Sequence, residues 1–165
     1  MPVEIERKYL VRGEQWRSQV QDSQAMAQGY LGGDRCSVRV RIEGGQALLN
    51  IKSRTAGPAR LEFEYPIDFD EAGQILSALA GDRVLKTRHR VRHHGHLWEI
   101  DEFSGDNAGL VVAEIELQQI DEEFAHPSWL GREVTDERRY YNVHLAQVPF
   151  CSWPDRASVL KEIEC

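Results

Sequence analysis

Apolar and polar residues alternate with a period of two along most of this chain. Side chains point to opposite faces of a β-strand in turn, so this alternation predicts strands with one apolar face and one polar face. In the stretch 36–43, valine and isoleucine occupy every second position, and Arg39 and Arg41 lie between them. A short strand that carries Tyr30 is predicted at residues 28–31. The predicted strands that show the alternation are residues 4–11, 36–43, 46–54, 60–68, 83–93, 97–103 and 110–118.

Helices are predicted where the apolar residues recur at helical spacing. In residues 69–80, Ile75, Leu76 and Leu79 form an apolar stripe, and Asp70 stands where an N-cap is expected. Shorter helical segments are predicted at residues 121–126, 136–147 and 153–165, and a short helix or a turn is predicted at residues 13–21. Hairpin-linked strands with a few helices are typical of an α+β fold, an antiparallel sheet or barrel with helices outside. We expect one domain over residues 1–165, with its core at about 2–150 and a tail at 151–165.

The polar faces of the predicted strands carry charges of both signs. A one-sided sheet would pack its apolar face on a core and turn its charged face to water. Seven strands share the pattern here, which favours a closed barrel with a polar interior and an apolar exterior covered by helices. The basic set is Lys8, Arg39, Arg41, Lys52, Lys86 and Arg88. The acidic set is Glu4, Glu6, Glu62, Glu64, Asp101, Glu114 and Glu116.

The two charge sets indicate the type of ligand. Carboxylates without histidine or cysteine suit hard cations such as Mg²⁺ or Mn²⁺. Arginine and lysine suit phosphate oxygens, arginine through its planar fork and lysine as a point charge. A carboxylate-bound metal beside phosphate-binding cations is the equipment of phosphoryl transfer. Six cations in one cavity indicate a ligand with more negative charge than one phosphate carries.

Composition excludes several other classes of protein. The net charge is -7 and the isoelectric point is about 5.4, which argues against a general nucleic-acid binder. The three cysteines have no paired spacing, as in proteins of a reducing compartment. The sequence opens on a charged strand without a signal peptide, and no apolar run approaches membrane-spanning length. We therefore expect a soluble, cytoplasmic protein without a membrane partner.

The ordered set of motifs resembles the CYTH family, also called triphosphate tunnel metalloenzymes. Its signature is Glu-x-Glu-x-Lys, present as Glu4, Glu6 and Lys8. The resemblance extends to about residue 150 and is strongest to short bacterial members, which are inorganic tripolyphosphatases. Further matching blocks are Gly29-Tyr30-Leu31, Arg39-Val40-Arg41, Asn50-Ile51-Lys52, Lys86-Thr87-Arg88, Glu99-Ile100-Asp101 and Glu114-Ile115-Glu116. The resemblance implies an eight-stranded antiparallel tunnel that binds a linear triphosphate and a divalent metal.

The resemblance also assigns roles to individual residues. The acidic set defined above becomes the metal-binding set, and the basic set becomes the substrate-binding set. Lys8 and Tyr30 correspond to a catalytic pair in some members. A nearby ammonium favours the phenolate and lowers the tyrosine pKa, so that the tyrosine could act as a general base. A hydrogen-bonded structural tyrosine is the alternative. Arg139 is expected either at one mouth of the tunnel or on a helix surface.

The predicted function is metal-dependent hydrolysis of a linear triphosphate, with tripolyphosphate cleaved to pyrophosphate and phosphate. The partner is a small-molecule polyphosphate, and the oligomeric state is left open, with a homodimer among the options. A class IV adenylate cyclase and a thiamine triphosphatase are the alternatives within the family. A non-enzymatic module that binds polyphosphate or nucleotides is the alternative outside it. Of the remaining residues, Trp98 and Trp129 are predicted to pack, and the histidines at 93, 94 and 96 to form a solvated turn.

Overall fold

The strands form one antiparallel sheet in the computed structural model, which describes residues 3–31, 36–53, 58–81 and 83–164. Within these residues the strands are β1 (Val3–Val11), β2 (Val20–Leu31), β3 (Cys36–Glu43), β4 (Gln46–Ser53), β5 (Ala59–Ile67), β6 (Arg83–His93), β7 (His96–Phe103), β8 (Val111–Glu116) and β9 (Leu130–Glu133). Residue 54, the last of the predicted 46–54 strand, lies outside the described residues. The eight predicted strands are all present, so the predicted fold class is confirmed.

The order of the strands brings the sheet round to its starting strand. The order is β5-β4-β3-β2-β6-β7-β8-β1-β9, and β1 pairs with β5 as well. This last pairing joins Val3–Ile5 to residues 59–61, so within the described ranges the end strands meet over three residue pairs. Farther along β1, Tyr9 and Val11 pair with β9 instead. The tunnel wall therefore has eight strands joined at one end of β1, and β9 is an addition that was not predicted.

The helices lie outside this wall. They are α1 (Phe69–Ala78), α2 (Asn142–Gln147) and α3 (Arg156–Glu164). Short 3₁₀ turns occupy Gln15–Gln19, Gly105–Asn107, Arg138–Tyr140 and Phe150–Ser152. The N-cap of α1 is Asp68 rather than the predicted Asp70, because the Asp68 carboxylate accepts hydrogen bonds from the backbone N–H groups of Asp70 and Glu71, both at 3.0 Å.

Three sequence predictions of secondary structure differ from the structure. β2 begins at Val20, well before the predicted residue 28, and its first half is exposed and polar on both faces, which hides the alternation. The segment 121–126 is irregular rather than helical: Glu122 there accepts a hydrogen bond from the Gln118 N–H, and Phe124 packs edge-on against Trp98. The predicted helix 136–147 is divided at Tyr141, which has extended backbone angles.

Apolar side chains form clusters on the outer side of the wall. One cluster surrounds Trp98 and Trp129, both fully buried, whose rings meet edge to face with centroids 5.5 Å apart. A second contains Tyr140 and Phe150 under the C-terminal segments. These contacts confirm that the two tryptophans pack, and they leave the inner side of the wall to the charged residues.

The last turn of α1 and the residues just after it come very close to Gly29 in β2. A Cβ atom placed on Gly29 would lie 2.6 Å from the Cβ of Ala80 and 2.9 Å from Cδ2 of Leu76. Real Cβ atoms do not come this close to other carbon atoms, so the end of α1 packs directly on the β2 backbone. Gln28 and Tyr30, the neighbours of Gly29, both face the inner side, where Tyr30 lines the cavity described next.

Candidate functional site

The charged faces of the strands enclose a cavity of about 1260 Å³. It is lined by most of the residues that the sequence assigned to metal, substrate or catalysis. These are Glu4, Glu6, Lys8, Tyr30, Arg39, Arg41, Lys52, Glu62, Glu64, Arg88, Glu114 and Glu116. Lys86 and Asp101 do not line the cavity; their side chains are fully buried in the wall behind it.

The centre of the cavity wall is an ion-pair network around Arg88. Arg88 donates from Nε to Oδ1 of Asp101 and from Nη2 to Oδ2, both at 2.7 Å, in a bidentate pair. The same Nη2 lies 2.8 Å from Oε2 of Glu114, whose Oε1 is 2.7 Å from Nζ of Lys8. Burial alone would raise the pKa of Glu114, but Lys8, Arg88 and Lys86 together hold that pKa well below its usual range. Glu114 is therefore a carboxylate whose charge is already neutralised.

Lys86 and Asp101 form the buried end of this network. Burial and, to a smaller extent, Arg88 lower the pKa of Lys86, while Asp101 and Glu114 oppose the shift, and the result is a pKa of about 8. Burial would raise the pKa of Asp101, but Arg88 and Lys86 lower it on balance. In this arrangement Asp101 is the counter-charge of two cations, and Lys86 is one of the cations it neutralises.

A second group of carboxylates lies at the β1–β8 end of the cavity and has the opposite electrostatic character. Glu6 stands opposite Glu116 in the pairing of β1 with β8, and Glu4 lies 2.8 Å from Nζ of Lys52. Burial raises the pKa of all three carboxyl groups, and neighbouring carboxylates raise it further: Glu114 for Glu6, Glu4 for Glu116 and Glu62 for Glu4. Negative charge is thus incompletely neutralised here.

The donor chemistry of this acidic group fits a hard divalent cation. Among the described residues, no three carboxylate, histidine or cysteine side chains are already arranged as a metal cage. Mg²⁺ does not need one, because it is usually held by one or two carboxylates together with waters and substrate phosphate oxygens. Glu4, Glu6 and Glu116 therefore suit a cation that binds together with a polyphosphate.

The β3–β5 side of the cavity carries a basic group braced by an amide. Nε of Arg39 donates to Oδ1 of Asn50 at 3.3 Å, and Nδ2 of the fully buried Asn50 donates to Oε1 of Glu62 at 3.0 Å and also to Glu64. Arg41 lies 3.4 Å from Oε2 of Glu64. Asn50 was not predicted as a site residue, although it follows the same alternation as Lys52, two positions later.

Besides Arg138, described below, three further charged residues, Glu43, Arg90 and Glu99, line the cavity without having been assigned to the site. Arg90 pairs with Glu43 at 3.0 Å and with Glu99 at 3.3 Å. Each stands two positions from a predicted site residue, so the period of two was the signal that could have found them. Counting only the described residues of the lining, eight carboxylates face seven arginine and lysine side chains. The cavity is therefore close to neutral, and a polyanion that enters it alone meets little net attraction.

Tyr30 and Lys8 both line the cavity, but Tyr30 differs from the general base that the family resemblance implies. Burial raises the pKa of Tyr30, and this outweighs the opposite influence of Arg39 and Lys8. The phenol is accordingly protonated at neutral pH. Gln28, which is fully buried, donates from Nε2 to Tyr30 Oη at 2.7 Å.

The segment before α2 and the first turn of α2 cover part of the cavity. Arg138, Tyr141 and His144 line it, and Nζ of Lys8 lies 5.5 Å from the ring centroid of Tyr141. Arg139, which the sequence placed either at a tunnel mouth or on a helix surface, does not line the cavity and pairs with Asp155 at 2.7 Å. The histidines of the β6–β7 hairpin lie outside the cavity lining, and His94 at the turn is exposed.

Comparisons with known proteins agree with this geometry. The model of the CYTH domain family matches residues 2–144. An inorganic triphosphatase of Acetivibrio thermocellus is 41% identical over 152 residues, which are 91% of this chain and 97% of that protein. An inorganic triphosphatase of Nitrosomonas europaea is 36% identical over 152 residues, 87% of this chain and 96% of the relative.

Solved structures match the fold as well. The crystal structure of the inorganic triphosphatase NE1496 superposes with a TM-score of 0.63 at 34% identity, over 88% of this chain and 95% of that one. A putative adenylate cyclase from Bacillus halodurans, at 17% identity and a TM-score of 0.58, shares the fold over 72% of this chain and 83% of its own. No helix among the described residues has the length and apolar composition to cross a membrane.

Proposed function

Because this chain belongs to the CYTH domain family, we propose that it is a metal-dependent hydrolase that cleaves inorganic tripolyphosphate to pyrophosphate and phosphate. Members of this family are metal-dependent. The observation that carries the proposal is the enclosed cavity in which a carboxylate group at the β1–β8 end faces a basic group on β3 and β6. The two relatives that are inorganic triphosphatases, at 41% and 36% identity over nearly the whole chain, support the same substrate.

The site residues divide into two groups in this proposal. Glu4, Glu6 and Glu116 would hold Mg²⁺ or Mn²⁺, because their carboxylates are hard oxygen donors that line the same end of the cavity, where Glu6 stands opposite Glu116. The cation supplies charge neutralisation on the phosphate oxygens and a lowered pKa of water when it is bound. The substrate-binding side chains contact phosphate oxygens. They are Arg39, Arg41 and Arg88, together with Lys52, whose Nζ lies beside the acidic group at 2.8 Å from Glu4.

The remaining predicted residues act through these groups. Lys86, Asp101 and Glu114 set the position and charge of Arg88 and Lys8 from within the wall. Water attacks the terminal phosphorus in line with the bridging oxygen. The new P–O bond forms as the bridging P–O bond breaks, pyrophosphate leaves, and a proton of the attacking water passes to the solvent. The fixed cations stabilise the charge that develops on the oxygens, which is the largest contribution such a site makes to catalysis.

A panel of phosphate-release assays tests the proposal. Tripolyphosphate, ATP, thiamine triphosphate and pyrophosphate are each offered with Mg²⁺, with Mn²⁺ and with chelator. We expect tripolyphosphate to have the highest kcat/KM and chelation to abolish release. A tenfold preference for ATP or thiamine triphosphate would replace the substrate, and cyclic AMP among the products of ATP would replace the reaction. Binding of tripolyphosphate without phosphate release under any condition would leave only a binding module.

The cellular setting that we propose is the cytoplasm. Cys36 and Cys151, the two cysteines among the described residues, are free thiols, as is usual in a reducing compartment. Fractionation of the source cells, with the protein detected by antibody, tests this placement.

A further inference from the structure

Gln28 is a buried polar residue, and its contact with Tyr30 offers a reason for an amide at this position. It lies in β2 two positions before Tyr30, on the same face, and is fully buried. Its Nε2 donates to Tyr30 Oη at 2.7 Å, and among the described residues its Oε1 has no hydrogen-bond partner. A buried amide oxygen without a partner costs about 1–3 kcal/mol. An apolar residue would avoid that cost, so the amide is better explained by its action on the phenol than by packing.

The hydrogen bonds around Tyr30 determine where its proton points. A phenol both donates and accepts hydrogen bonds. Gln28 donates to this oxygen from Nε2, and the Arg39 guanidinium, which has no acceptor atoms, stands opposite Tyr30 in the pairing of β2 with β3. Neither of these groups takes up the phenol proton in the structure. Within the described part of the chain the Tyr30 hydroxyl donates to no acceptor, so its proton is directed into the cavity that it lines.

Resting on the proposed function, we propose that Tyr30 donates a hydrogen bond to an oxygen of the bound phosphate chain and that Gln28 is the positioning residue that fixes this direction. The reaction needs such donors because charge accumulates on the oxygens of the leaving pyrophosphate. A fixed O–H group that points at these oxygens stabilises the charge by donating a hydrogen bond, and its proton stays on the tyrosine. The role is distinct from a general base, which would need the phenolate.

A mutant cycle at positions 28 and 30 tests the positioning role. Tyr30→Phe removes the donor and should lower kcat on the order of 10²-fold, as loss of one oxyanion donor does. Gln28→Leu should lower kcat about tenfold when Tyr30 is present and not at all in the Tyr30→Phe background. Gln28→Glu places a carboxylate that accepts the Tyr30 proton, so it should match Tyr30→Phe. Equal losses from Gln28→Leu in both backgrounds would show a merely structural role and overturn the proposal.

The pH profile separates a donor from a base. Incorporation of 3,5-difluorotyrosine at position 30 lowers the phenol pKa without changing the shape of the ring. If the protonated phenol is required, the alkaline limb of the kcat/KM profile moves to lower pH. If the phenolate is required, the acidic limb moves instead, and the donor role is overturned.

A measurement that does not depend on turnover keeps the inference separate from the proposed function. Tyrosine labelled with ¹³C at Cζ gives an NMR signal for Tyr30, identified by its loss in Tyr30→Phe. This signal should remain that of a phenol past pH 10, the ordinary tyrosine value of about 10, and should move when Mg²⁺ and an imido analogue of tripolyphosphate are added. A phenolate at lower pH overturns the donor role even in an active enzyme. A protein that releases no phosphate but shows both expected NMR results overturns the hydrolase while supporting the donor.

Discussion

Replacement of Asp101 with asparagine removes the counter-charge of two buried cations, and we expect it to destabilise the protein strongly even without metal. The side chains of Asp101 and Lys86 are fully buried, and that of Arg88 is nearly so. Removal of one partner of a buried pair costs about 3–5 kcal/mol, because the remaining charge is left without compensation. The substitution keeps the size and shape of the side chain, so packing contributes little.

The magnitude can be worked out from the two cations separately. Lys86 can escape its uncompensated charge by losing its proton; with a pKa of about 8, this costs about 1.4 kcal/mol at pH 7. Arg88 cannot lose its proton, but it retains Glu114 and Glu99 and loses only its bidentate hydrogen bonds to Asp101, worth about 1.5–3 kcal/mol. We therefore expect Asp101→Asn to cost about 3–4 kcal/mol, or roughly 6–16 °C in Tm for a chain of this length.

The assay is urea and thermal unfolding of the chelated protein at pH 7, with Glu116→Gln as the matched control. Both substitutions change a carboxylate to its amide, but burial and Glu4 raise the pKa of Glu116. Loss of its charge should therefore leave the stability of the metal-free protein unchanged or slightly higher. A cost below about 1 kcal/mol for Asp101→Asn, or a cost that appears only when Mg²⁺ is present, would refute the reasoning and return Asp101 to the metal ligands.

Three further predictions concern the metal, the buried lysine and the substrate. Glu6→Gln should lower metal-dependent phosphate release by orders of magnitude with an unchanged circular dichroism spectrum; the wild-type rate at saturating Mg²⁺ would contradict the assignment. The pKa of Lys86 is about 8 in the folded protein and 10.5 in the unfolded chain, so between pH 8 and 10.5 the unfolded chain binds more protons. The free energy of unfolding should therefore rise over this pH range by about 3 kcal/mol relative to that of Lys86→Met. If the free energies of unfolding of the two proteins change in parallel with pH, the pKa shift is absent. With Mg²⁺ present, tripolyphosphate should raise Tm more than pyrophosphate and phosphate do, and Arg41→Ala should shrink this rise while the exposed Arg92→Ala should not; equal shifts with all three anions would argue against a triphosphate site.

The strands that could be predicted from sequence are those whose two faces differ in polarity. The stretch that contains Arg39 and Arg41 alternates without exception, and the structure places a strand there. The first half of β2 is hydrophilic on both faces because it is exposed, and β9 has only four residues, so neither produces a period of two. The segment around Phe124 is held by contacts with distant strands, to which local sequence patterns are blind.

For the site, the alternation identifies which residues face the cavity but not their electrostatic state. Glu114 and Glu116 stand in the same motif on β8, yet their pKa values shift in opposite directions. Glu114 lies opposite Lys8 across the β1 pairing, whereas Glu116 lies opposite Glu6. The difference arises from the register between strands far apart in sequence. The sequence therefore assigned all seven carboxylates to one metal-binding set, whereas the structure gives Glu114 and Glu116 different electrostatic surroundings.

Because there is no space for a side chain at Gly29, packing on the outside of the wall affects the position of residues inside the cavity. The end of α1 and Ala80 pack on the β2 backbone between Gln28 and Tyr30, so a bulkier residue on either side of this contact must shift the strand or the helix end. In a random library screened for activity, inactive but well-expressed variants should therefore include Gly29→Ala and changes at Ala80, outside the cavity. Substitutions at this helix end could therefore shift the Tyr30 hydroxyl without replacing any charged residue of the cavity. They offer a way to redirect the enzyme toward another polyphosphate.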